Sequence, residues 1–77
     1  MIIKFYSPGC APCRAITDIL NQMEVEYVGV DITKNVMLAV EHKVRTVPTL
    51  INVEAKSRLV GFHGIFKTQE WLNDNTD

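Results

Sequence analysis

The two cysteines of this 77-residue chain lie three positions apart, in the segment Cys10-Ala-Pro-Cys13. They follow Ile2–Tyr6, a run of β-branched and aromatic residues that predicts a strand, and Ser7–Gly9, which predicts its end. From Ala11 onward, apolar residues recur with the helical period. The spacing therefore predicts a junction between strand and helix, with Cys10 just before the helix and Cys13 in its first turn.

The rest of the chain predicts further strands and helices of ordinary length. They are a strand over Glu26–Asp31, a helix from an N-cap at Thr33 to about His42 with Val36, Val40 and Val44 aligned, strands over Thr49–Val53 and Arg58–Phe62, and a closing helix capped by Thr68 that presents Trp71 and Leu72.

This order of elements, β-α-β-α-β-β-α, predicts an α/β fold in one domain over residues 1–77. The first strand, helix and strand predict a right-handed parallel crossover. The later pair of strands predicts an antiparallel hairpin. We therefore expect a four-stranded mixed sheet with helices on both faces.

Cysteines at this spacing and place suit reversible disulfide chemistry. Residues three apart in a helix face the same side, at a Cα separation that a disulfide tolerates. The helix N-terminus favours the thiolate of the cysteine nearest to it, and a thiolate is the nucleophile in disulfide exchange. Cys10 is therefore the predicted nucleophile and Cys13 the resolving cysteine, and the cycle needs no cofactor.

Three other uses of the pair remain open. A zinc site needs about four ligands, and only His42 and His63 could join the cysteines. A structural disulfide would close too short a loop to stabilise the chain much. An iron–sulfur cluster shared by two chains needs four cysteine ligands. The position of the pair between a strand and a helix favours catalysis, and we expect no metal.

Composition excludes several classes of partner. The net charge is −1, and the eight Lys and Arg residues are scattered rather than clustered. Nucleic acids and anionic membranes select basic surfaces, so we expect neither as a partner. The N-terminus does not have the pattern of a signal peptide, and a secreted protein of this size would usually carry several cysteine pairs spread along the chain. We expect a cytoplasmic monomer.

Three segments give the chain a resemblance to one known family. Cys10-Ala-Pro-Cys13-Arg14 resembles the active-site loop of thioredoxins, with alanine for the usual glycine. Val44–Leu50 resembles the segment that carries their cis-proline, and Gly61–Gly64, with Lys67 and Leu72 beyond it, resembles their C-terminal hairpin and helix. The chain thus resembles the thioredoxin/glutaredoxin superfamily along nearly all its length, as a small redoxin of glutaredoxin size, of phage or bacterial type.

The resemblance implies a substrate groove beside Cys10. It implies a cis bond between Val47 and Pro48, and a Val47 backbone that pairs with an extended substrate as an added strand. Thr46 belongs to the same segment. Gly64 would border the groove, and His63 beside it could touch substrate. The residues alone also allow a Pro48 that only begins an edge strand, a Gly64 that only makes a turn, and a surface His63.

The site departs from the family at two positions. Gly9 replaces the tryptophan that usually precedes the first cysteine, and Lys4 replaces a buried aspartate that helps take the proton from the second cysteine. Our hypothesis is that Lys4 favours a thiolate through its positive charge. The alternative, a solvent-facing lysine at a sheet margin, agrees better with how rarely lysine is buried. Lys4 and Pro12, a tolerated first-turn proline, are the expected modulating residues.

The resemblance also implies partners. We expect protein disulfides as substrates, ribonucleotide reductase among the candidates, and a thioredoxin-reductase-type flavoenzyme as electron donor. The segment Gly64–Glu70 lacks the Gly-Gly turn and paired acids with which glutaredoxins bind glutathione, although Arg45 and Lys67 could meet its carboxylates. Glutathione is therefore the less favoured donor. A non-catalytic module on the same fold, binding a metal or a partner, is the alternative function.

Overall fold

The computed structural model describes residues 1–76 and contains four strands and three helices. They are β1 Ile2–Tyr6, α1 Ala11–Gln22, β2 Val28–Asp31, α2 Val36–Glu41, β3 Thr49–Asn52, β4 Ser57–Val60 and α3 Ile65–Asn75. This is the predicted order. None of the helices within residues 1–76 has the length and apolar character needed to cross a membrane.

The four strands form one mixed sheet in the order β2-β1-β3-β4. β1 runs parallel to β2, with Phe5 beside Val30, and antiparallel to β3, with Phe5 beside Thr49. β3 and β4 form the predicted antiparallel hairpin. Because of these directions, the end of β1, the start of β3 and the end of β4 all lie at the same end of the sheet.

The sheet buries apolar side chains on both faces, as the alternation of a strand between two layers requires. On one face, α1 and α3 pack over a core of Ile2, Ile16, Ile19, Leu20, Leu50 and Leu72. On the other face the core is Ile3, Phe5, Val30 and Ile51, against which Ile32, Leu38 and Val44 pack. The predicted fold class, a four-stranded mixed sheet with helices on both faces, is confirmed.

The predicted start of α2 is wrong. Thr33 does not cap this helix, because its backbone N–H and its hydroxyl both donate to Asp31 Oδ1, at 2.9 and 2.6 Å. This local turn holds the chain out of the helical conformation for two more residues. The N-cap is Asn35, and α2 is only six residues long.

The aligned valines of the predicted second helix do not form a buried face. Val36 and Val40 are 58 % and 65 % exposed, whereas Ala39 is the buried residue of α2. Val44 lies beyond the helix and packs against the second core. The helix thus buries its smallest side chain, and Leu38 is its residue that packs against the second core.

The predicted cap of α3 is also wrong. Gly64 occupies the N-cap, with φ of 95°, and the helix begins at Ile65. Thr68 lies fully buried one turn later, and its hydroxyl donates to the Gly64 carbonyl at 3.0 Å. Threonine can bond to a carbonyl four residues earlier within a helix as readily as it can cap one. Leu72 is fully buried in this helix.

Candidate active site

The two cysteines lie at the junction between β1 and α1. Gly9, at φ 76°, follows the end of the strand, and Cys10 is the N-cap of the helix in an extended conformation. Cys10 and Cys13 form a disulfide with their Cα atoms 5.2 Å apart. Pro12 fits the first turn, where its missing N–H would have had no partner within the helix.

The two sulfurs occupy different surroundings. Cys10 is partly exposed, whereas Cys13 is only 3 % exposed. The backbone N–H of Cys13 donates to Cys10 Sγ at 3.1 Å, which satisfies one of the unpaired donors of the first helical turn. The same donor, together with the helix dipole, would stabilise negative charge on Cys10 once the disulfide is reduced.

A cleft of about 250 Å³ opens beside the disulfide. Both cysteines line it, together with Lys4 and Tyr6 from β1 and Arg14 and Thr17 from α1. The structure therefore brings Lys4 into one site with the cysteine pair. Tyr6 and Thr17 were not singled out from the sequence, because neither belongs to a recognisable motif.

Lys4 is not the solvent-facing lysine that its residue type favours. It is 6 % exposed, because β1 is an inner strand of the sheet and α1 covers this face. Its ammonium donates to the Thr17 hydroxyl and lies 4.8 Å and 5.2 Å from the ring centres of Tyr6 and Tyr27. Burial lowers the pKa of Lys4 below its ordinary value.

The Val47–Pro48 peptide bond is cis. Pro48 is buried, Val47 is partly exposed and Thr46 is exposed, with its carbonyl accepting from the Thr49 hydroxyl at 2.8 Å. This segment leads into β3. It therefore lies at the same end of the sheet as the loop that carries Cys10.

The glycine bonded to this segment is Gly61. Its N–H donates to the Pro48 carbonyl at 2.8 Å, and its φ is 84°. Gly64 instead caps α3, and a Cβ placed on it would meet nothing within 4 Å. Sequence reasoning missed Gly61 because it lay within the predicted strand Arg58–Phe62, whereas β4 ends at Val60.

Neither histidine lines the cleft beside the cysteine pair. His63 is exposed, and its Nε2 is 2.8 Å from the Val60 carbonyl. The ring of His42 stands at the opposite face of the sheet, 5.6 Å from that of Phe5. Over residues 1–76, no three His, Cys, Asp or Glu side chains are grouped as a metal site would require.

Comparisons with known proteins agree on one family. The family model described as Thioredoxin matches residues 1–76. A thioredoxin of Rickettsia bellii is 27 % identical over 84 residues, covering 97 % of this chain and 80 % of its own length. A prophage-derived thioredoxin-like protein of Bacillus subtilis is 32 % identical over 65 residues, covering 79 % of this chain and 81 % of its own.

The fold is shared with solved structures of the same name. The N21Q mutant thioredoxin of Halobacterium salinarum superposes with a TM-score of 0.77 at 22 % identity, over 99 % of this chain and 74 % of its own. At this identity the comparison concerns the fold alone, and the cysteine pair carries the chemistry.

Proposed function

Because the chain belongs to the thioredoxin family and is a thiol–disulfide oxidoreductase, we propose that it reduces protein disulfides by a cycle in which Cys10 attacks and Cys13 resolves. One observation carries the proposal: the disulfide at the start of α1 joins a partly exposed Cys10 to a buried Cys13. An incoming protein sulfur can therefore reach only one of the two.

The cycle transfers two electrons without a cofactor. The Cys10 thiolate attacks one sulfur of a substrate disulfide, and the electron pair of the broken S–S bond leaves on the other sulfur, which takes a proton. Cys13 then loses its proton and attacks Cys10 Sγ in the mixed disulfide. The second substrate sulfur leaves as a thiolate, and the Cys10–Cys13 disulfide is formed again.

We expect the substrate backbone to bind along the segment Thr46–Pro48. The partly exposed Val47 supports this role, because an extended peptide can pair with its backbone as an added strand. Gly61 and Gly64, with His63 between them, follow β4 at the same end of the sheet and would form the far border. A glycine border leaves the peptide room to approach.

For the electron donor, we favour a thioredoxin-reductase-type flavoenzyme over glutathione. The family match supports this choice, since the family model is that of thioredoxin and the Rickettsia bellii relative is a thioredoxin. We place the protein in the cytoplasm, where a single reducible cysteine pair is usually catalytic. Ribonucleotide reductase is a candidate substrate on the strength of the family resemblance.

The test is a paired turnover assay with insulin as the protein disulfide. One arm contains NADPH and thioredoxin reductase, and the other contains NADPH, glutathione and glutathione reductase. We expect NADPH oxidation mainly in the first arm, and none above background with Cys10→Ser. Turnover only in the second arm would overturn the proposed donor, and turnover in neither would overturn the proposed function.

A further inference from the structure

The proposed cycle assigns no role to Lys4, although its side chain is buried beside the cysteine pair. Its neighbours are a hydroxyl and two aromatic rings, and no carboxylate. Over residues 1–76 the ion pair that forms joins the N-terminus to Glu54, at the far end of β1. The burial of the Lys4 side chain beside the cleft partly desolvates the ammonium without giving it a counter-charge, which is costly, so its retention requires an explanation.

Two contacts connect Lys4 to Cys13. The Thr17 hydroxyl accepts from the Lys4 ammonium and donates to the Cys13 carbonyl at 3.1 Å. Lys4 and Cys13 also line the same cleft, whose other cation is the exposed Arg14. The cleft has no Asp or Glu in its lining. The negative charge that could face Lys4 is therefore a thiolate.

Of the two sulfurs, Cys13 is the one that needs such a charge. Cys10 already accepts the N–H of Cys13 and stands at the helix N-terminus. Cys13 is 3 % exposed, and burial disfavours a thiolate unless an opposite charge lies near it. The resolving step is limited by that thiolate, because the thiol itself does not attack a disulfide.

We propose that the Lys4 ammonium stabilises the Cys13 thiolate in the reduced protein and in the mixed disulfide, and so speeds the resolving step. The proposal rests on the cycle proposed above. Lys4 keeps its own proton, and the proton lost by Cys13 leaves through the cleft to solvent. Thr17 acts as a positioning residue, because it holds the ammonium against the turn that carries Cys13.

The first test titrates Cys13 alone, in a Cys10→Ser background, by the ultraviolet absorbance of its thiolate. Replacing Lys4 with Met should raise the measured pKa of Cys13 by about one to three pH units, the usual effect of one nearby charge. Arg14→Gln, the other cation of the cleft, and Lys56→Met, an exposed lysine, are the matched controls. An unchanged pKa of Cys13 in Lys4→Met would overturn the proposal. So would a larger rise of that pKa in Arg14→Gln than in Lys4→Met.

The second test needs no substitution at Lys4 and so stands even if Lys4→Met fails to fold. Coupling between two charges is reciprocal, so a thiolate on Cys13 must raise the pKa of Lys4 as much as Lys4 lowers that of Cys13. NMR titration of the Lys4 side chain in a Cys10→Ser background should give a higher pKa with Cys13 present than in the double variant Cys10→Ser, Cys13→Ser. Equal values would overturn the proposal, because a purely structural lysine would not respond to the Cys13 thiolate.

Neither titration involves a substrate or a reductase. An inactive protein whose Cys13 titration depends on Lys4 would therefore refute the reductase cycle and leave the electrostatic coupling intact. An active protein whose Cys13 titration ignores Lys4 would refute only the role of Lys4.

Discussion

At the scale of single residues, two identical thiols receive different properties from one turn of helix. Cys10 is the N-cap, with a donor aimed at its sulfur, and Cys13 is covered. The asymmetry follows from position, because an N-cap side chain lies at the open end of the helix, whereas Cys13 belongs to the buried face of α1 with Ile16 and Leu20. This part of the site could be predicted from the spacing of the cysteines.

The glycines at the end of β4 give a prediction at the same scale. Gly61 has φ of 84°, and a Cβ on it would lie 3.2 Å from His63 Nε2. Gly61→Ala should therefore lower the free energy of unfolding by about 1–2 kcal/mol, the usual cost of a left-handed backbone. It should also raise KM for a protein disulfide, because Gly61 is bonded to the Pro48 carbonyl.

Gly64→Ala is the matched control for that experiment. It too has a positive φ, of 95°, but its Cβ would meet nothing within 4 Å. We expect a loss of stability, measured by urea denaturation, and a smaller rise in KM than in Gly61→Ala, because it is Gly61 that donates to the Pro48 carbonyl. A larger rise in KM for Gly64→Ala would show that the glycine favoured by the sequence is the main border of the groove.

Lys4 shows why part of the site could not be predicted. Because lysine is seldom buried, the sequence favoured a solvent-exposed Lys4. The burial depends on β1 having neighbours on both sides and α1 above it, which is a property of the assembled sheet. Its partners Tyr6, Thr17 and Tyr27 come from three parts of the chain and share no motif.

At the scale of elements, β1 and α1 were predicted well and α2 was not. The apolar residues of α1 recur over twelve residues, long enough for the helical period to fix the buried face. α2 has six residues, and a spacing of four between valines says little about so short a helix. The competing bonds from Thr33 to Asp31 decide where it starts.

A comparison of helices tests this difference. Val40 is 65 % exposed in α2, so Val40→Thr should change the free energy of unfolding by less than about 0.5 kcal/mol. Leu72 is fully buried in α3, so Leu72→Ala should cost about 2–5 kcal/mol through lost contacts and the cavity left behind. Urea denaturation of both variants is the measurement. A large loss in Val40→Thr would show that α2 buries its valines after all.

At the scale of the whole molecule, the order of the strands brings the segments of the candidate site together. The order β2-β1-β3-β4 brings the Cys10 loop, the Pro48 segment and Gly61 to one end of the sheet, although they are far apart in sequence. The order of elements and the handedness of the crossover predicted the mixed sheet. The groove beside Cys10 was expected only from the family resemblance. The register between strands was not predictable, because it depends on how the side chains pack in the two cores on either face of the sheet.

Size has a consequence for mechanism. The radius of gyration is 11.3 Å, close to the roughly 11.5 Å expected of a compact domain of this length. The molecule measures 29 × 27 × 19 Å, so no residue lies far from solvent. The disulfide can be reached by another protein through the partly exposed Cys10, which lies at the N-cap of α1.

The most direct test of the two-cysteine cycle is to stop it halfway. In Cys13→Ser the resolving thiol is absent, so a protein disulfide should remain joined to Cys10 as a mixed disulfide, visible by mass spectrometry and released by a small dithiol. Cys10→Ser should form no such adduct, because Cys13 is covered. Equal adducts in both variants, or none in Cys13→Ser, would contradict the assignment of Cys10 as nucleophile and Cys13 as resolving cysteine.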